Sequence, residues 1–76
     1  MQEVKTMSSK EKVELLRQAY PSGTKIILYH MDGEPQMEYG LKGTVLYVDD
    51  IGQIHMQWEN KSVLALNTEI DVFSVA

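Results

Sequence analysis

The chain has 76 residues, 43% hydrophobic and 24% charged, with five Gly, two Pro and no Cys. That length holds one compact domain, with a core too thin for a deep, dehydrated catalytic cavity. Seven Lys and Arg against eleven Asp and Glu give a net charge of −4, which opposes the phosphate-neutralising attraction that dominates nucleic-acid affinity.

Without cysteine the domain must be held by packing, since neither disulfides nor a thiolate zinc site can staple it. That composition suits a reducing compartment, and a cytoplasmic location is expected. The opening residues Met1, Gln2, Glu3, Val4 and Lys5 lack the basic start and apolar run of a secretion signal. No apolar stretch approaches the roughly 18 residues that would span a membrane.

Residues 1–7 have no strong period and are expected to fray, or to add one pairing segment if Val4 finds a neighbour. A helix is predicted over 8–20. Ser8 with Glu11 three residues later matches a capping box, and Val13, Leu15, Leu16, Ala19 and Tyr20 share one side at helical spacing. Lys10, Glu14, Arg17 and Gln18 then face water. Pro21 ends the ladder and Gly23 supplies a turn.

Beyond Gly23 the period shortens to about two, as strands require. Residues 24–29 form the first strand, and Asp32, Gly33 and Pro35 mark a loop running to about Gly40. Lys42–Val48 is the second strand, 49–52 an acidic turn, and Gln53–Trp58 a third strand alternating Ile54, Met56 and Trp58 with His55 and Gln57. Asn60 to Ser62 mark a tight hairpin. Segments 62–66 and 71–75 complete five strands.

The fold class is therefore mainly β with one N-terminal helix: a small five-stranded SH3-like antiparallel barrel over 24–76, the helix packed across one open end or face. A five-stranded oligonucleotide-binding barrel is the competing topology, although its strands are usually longer.

Several runs carry a family resemblance: Tyr20-Pro21, Gly23-Thr24, Gly43-Thr44-Val45, Val48-Asp49-Asp50, Gly52-Gln53-Ile54-His55 and Trp58. As a set, over about residues 20–73, they resemble the bacterial and phage family called domain of unknown function 4314. The resemblance implies an SH3-like β fold from phages or mobile elements, with no established activity, ligand or catalytic residues. Similar sequences tend to carry Gly after the run at the second hairpin, whereas this chain has Glu59-Asn60-Lys61. Lysine tolerates positive φ poorly, so Asn60 is expected in the left-handed position unless the turn type differs.

Catalytic chemistry finds little support. His55 alternates with core positions and is expected on the surface or across the sheet. A metal would need His30, His55, Asp32, Asp49 or Asp50 to converge, and no ligand spacing indicates that they do. Asp49 and Asp50 are expected to shape their turn. Ser8 and Ser9 fit helix caps, Ser22 and Ser62 fit turns, and no glycine-rich phosphate loop is present. The chain is therefore not expected to be an enzyme, and no cofactor is called for.

Aromatic residues carry the strongest binding signal. Trp58 and Phe73 are large enough to be needed by a thin core, while Tyr29, Tyr39 and Tyr47 are the candidates to bind a partner protein or peptide. A protein adaptor is the function expected, acting through those rings or by strand addition at an open edge. The alternative is a nucleic-acid-binding accessory, with Lys5, Lys10, Lys12 and Arg17 as its contact face. A homo-oligomer paired through an exposed edge is the third class, and the helix stripe is expected to cap the domain's own barrel.

Overall fold

The computed structural model describes residues 8–76. The expected leader and Lys5 lie outside the described residues. Ser8 caps helix α1 (Ser9–Ala19): its side chain accepts from the Glu11 N–H, and its hydroxyl also meets Glu11 Oε1 at 3.2 Å. This is one half of the capping box that Ser and Glu at that spacing encode, with the Glu11 carboxylate taking the Ser8 hydroxyl in place of the Ser8 backbone N–H. The helix stops where Pro21 bars continuation, with Tyr20 N–H donating to the Leu16 carbonyl.

Five strands follow: β1 (Lys25–His30), β2 (Lys42–Val48), β3 (Gln53–Trp58), β4 (Leu66–Asn67) and β5 (Val72–Val75). They form one antiparallel sheet in the order β4, β3, β2, β1, β5. The chain runs as a four-stranded meander and then returns to lay β5 beside β1. The two edge strands β4 and β5 do not pair with each other, so the sheet is open where a closed barrel is expected from the strand spacing.

Two-residue alternation, interrupted by a register shift between Val45 and Tyr47, puts Ile26, Leu28, Val45, Val48, Ile54, Met56, Trp58 and Leu66 on one buried face, with Val13 of α1 against it. Met31 and Met37 from the loop after β1 complete the core, and among the described residues no polar side chain is buried. Trp58 is 2% exposed, and its indole N–H donates to the Leu64 carbonyl at 2.8 Å. A strand glycine makes room for that ring. Gly43 faces Trp58 across β2 and β3, and a Cβ there would lie 2.5 Å from Trp58 Cε3.

Three expectations need correction. The helix presents Val13, Leu16 and Tyr20 to the sheet, with Arg17 on the same side, while Leu15 is 49% exposed and Ala19 faces out. Spacings of three, four and seven from Val13 define one helical face, and Leu15 lies nearly opposite it. Residues 63–65 are not strand. The Trp58 backbone N–H and indole N–H take the carbonyls of Ser62 and Leu64, so pairing with β3 resumes only at Leu66. At the second hairpin it is Lys61, with φ 69°, that adopts the left-handed conformation, while Asn60 Oδ1 accepts the Ser62 N–H.

Candidate functional site

Tyr29 follows two inward residues of β1, so alternation turns it outward. The β1 to β5 register shifts there: Leu28 faces Phe73 and His30 faces Val72, leaving Tyr29 as the extra residue of a bulge. Its hydroxyl shares a 2.9 Å hydrogen bond with Ser74 Oγ on β5, which fixes the ring against the sheet. Tyr39 arrives from the loop before β2, 80% exposed, with its ring centroid 5.4 Å from that of Tyr29. Rings at that distance and a 44° tilt form an attractive aromatic pair.

The loop that carries Tyr39 is folded tightly. Gly40, at φ 85°, donates its N–H to the Leu28 carbonyl at 2.7 Å, while Met31 and Met37 anchor the segment in the core. A shallow groove of about 440 Å³ runs between Tyr29, Pro35 and Tyr39, lined also by Glu34 and Glu38. Asp32 is exposed beside it, 3.9 Å from His30 Nε2. One end of the molecule thus presents an aromatic pair with a carboxylate rim.

Tyr47 does not join the other two. Lys25 faces Thr44, so Tyr47 lies past the start of β1 and Tyr29 near its end. A second bulge explains why both parities of β2 are apolar: Val45 faces Met56 and Tyr47 faces His55, leaving Leu46 unpaired, so Leu46 and Tyr47 are both exposed. Tyr47 stacks on the His55 ring at 4.4 Å, with 6° between the planes. Asp49 supports the arrangement from the turn. Its Oδ2 lies 2.8 Å from His55 Nε2 and its Oδ1 accepts the backbone N–H groups of Ile51 and Gln53. These bonds, His55 first, hold the Asp49 carboxyl below its ordinary range. The sequence indicates the turn role of Asp49. Its link to His55 needs the hairpin register, which sets Tyr47 opposite His55 and Asp49 opposite Gln53, so that Asp49 and His55 are diagonal neighbours.

Of the proposed basic face, Lys10 and Lys12 are exposed on α1. Arg17 is engaged: its guanidinium donates to the Val48 carbonyl at 3.2 Å, to Glu14 at 3.2 Å and to Asp50 at 2.9 Å. A groove of about 730 Å³ opens between α1 and the two turns facing it, with Leu15, Leu16, Ile51 and Thr68 in its walls. Among the described residues no cluster of three or more His, Asp or Glu side chains is placed to hold a metal ion. No described helix is long and apolar enough to cross a membrane.

The family model for the domain of unknown function DUF4314 matches residues 9–76, taking in the helix, all five strands and both aromatic sites. The chain belongs to that family. The family is described only as a domain of unknown function, so membership assigns no activity. No characterised protein and no solved structure matches the chain significantly.

Proposed function

We propose that the chain is a non-catalytic binding module that takes an extended, positively charged segment of a partner protein across the Tyr29 and Tyr39 rings. The observation that carries this is Tyr39, an 80% exposed aromatic ring held out in water against a second ring that Ser74 fixes in place. Flat rings on a rigid support offer contact area with little entropy left to lose on binding. Asp32, Glu34 and Glu38 supply the charge that selects a Lys or Arg of the partner, whose cation can also rest on a tyrosine face. We also place the module nearest to SH3-like domains, on the strength of its meander with a fifth strand returned beside the first.

Tyr39→Ala is the cleaner probe, because Tyr29 also ties β1 to β5. A pull-down with tagged wild-type and Tyr39→Ala chains, each with and without nuclease, tests the proposal. The expected result is a protein captured after nuclease treatment and at low salt, lost with Tyr39→Ala, whose stability stays within about 0.5 kcal/mol of wild type. Equal capture by Tyr39→Ala would overturn it. Recovery that vanishes with nuclease would move the function to nucleic acid and to Lys10 and Lys12 on α1.

A further inference from the structure

From Pro21 onward the sequence contains only three Lys or Arg residues, Lys25, Lys42 and Lys61, against eight carboxylates. Their sequence positions are unrelated, yet the sheet gathers them. Lys25 faces Thr44 and Ile27 faces Lys42 across β1 and β2, and Gly43 faces Trp58 across β2 and β3. The 59–61 turn is thereby brought to the start of β2, where the Glu59 N–H donates to the Lys42 carbonyl at 2.9 Å. All three lysines line one groove of about 580 Å³, together with Thr44, Gln57, Glu59 and Ala76, whose N–H donates to the Lys25 carbonyl at 2.8 Å.

Two details set these lysines apart from an ordinary solvated surface. Among the described residues none of them lies within ion-pair distance of a carboxylate, even though Glu59 lines the same groove. Lys25 Nζ is instead held by Thr44 Oγ1 at 2.8 Å. Lys61 sits at φ 69°, the one described residue other than glycine with positive φ, so a conformation that favours glycine is occupied by a cation at the groove's rim.

We infer that this groove binds carboxylate groups from an acidic stretch of a partner protein. Three ammonium groups with no ion-pair partner among the described residues, set around one depression, create a local positive field on a negatively charged molecule, and a short acidic segment meets that field alone. A nucleic-acid strand would extend past it over the remaining carboxylates. It would also find no stacking platform, since the one aromatic side chain in the groove wall, Trp58, is 2% exposed.

Fluorescence anisotropy of a labelled hexaglutamate peptide at low salt tests this, with the chains Lys42→Ala, Lys61→Gly and, as a control on the helix, Lys10→Ala. Wild type is expected to bind saturably. Lys42→Ala and Lys61→Gly should each weaken binding roughly three- to fivefold, the size of one exposed ion pair. Lys61→Gly should at the same time raise Tm by relieving the positive φ, which separates loss of charge from loss of folding. Absence of saturable binding, an equal loss in Lys10→Ala, or tighter binding of an oligothymidylate than of hexaglutamate would each overturn the inference.

Discussion

Strands β1 to β3 and helix α1 are held by different means. Each of the three central strands pairs on both edges and buries two or three residues completely or nearly so, with Trp58 closed over Gly43. The helix touches the sheet through one buried residue, Val13, two partly buried ones, Leu16 and Tyr20, and the Arg17 hydrogen bond to Val48. Stability in a chain this small is therefore concentrated in the sheet, and the helix can change its outer surface at little cost to the fold.

The largest effect expected from breaking this contrast is at Trp58. Trp58→Ala removes the largest fully buried side chain and should cost about 3–5 kcal/mol, enough to unfold a marginal domain in chemical denaturation. Gly43→Ala attacks the same contact from the other strand. The added Cβ meets the Trp58 ring, and a loss of about 1–3 kcal/mol is expected from overpacking. On the helix, Val13→Ala deletes two buried carbon groups and should cost about 1.5 kcal/mol. Leu15→Ala should stay within about 0.5 kcal/mol, and a loss equal to that of Val13→Ala would show that the helix packs on a different face.

The smallest expected effect is at the β2 to β3 turn. Because the folded state depresses the Asp49 carboxyl below its unfolded value, its contribution is present above the ordinary carboxylate range and is lost as pH falls through the lower folded value. Acid titration of Tm should thus be shallower in Asp49→Asn than in wild type. An identical titration would mean that other carboxylates set the acid limit.

Local signals in the sequence carried most of the fold. The Ser8 cap, the Pro21 stop, the acidic turn at Asp49 and the alternation that buries Trp58 all depend on neighbours a few residues away, and each is found where its pattern places it. What was not legible depends on partners far along the chain. The bulge at Leu46 follows from pairing with His55 and Met56, and the outward turn of Leu15 from the pose of α1 on the sheet. The open edge between β4 and β5 has the same kind of origin. Of the three candidate tyrosines, Tyr29 and Tyr39 meet because a bulge and a looped return bring them together, and Tyr47 is sent away from them by register alone. The lysine groove is the extreme case, assembled from two strands and a turn with no local spacing to announce it.

The return of β5 to β1 also has a consequence for how the molecule is made. Ile26 pairs with Val75, so one side of β1 stays without its neighbour until nearly fifty further residues have been synthesised, a long closure for so short a chain. The meander of β1 to β4 can assemble while the chain is still emerging, but one edge of β1 remains open to any other extended segment in the meantime. Lys25 and His30 stand at the two ends of that edge, and a charge at Lys25 discourages a stray strand from docking before β5 arrives.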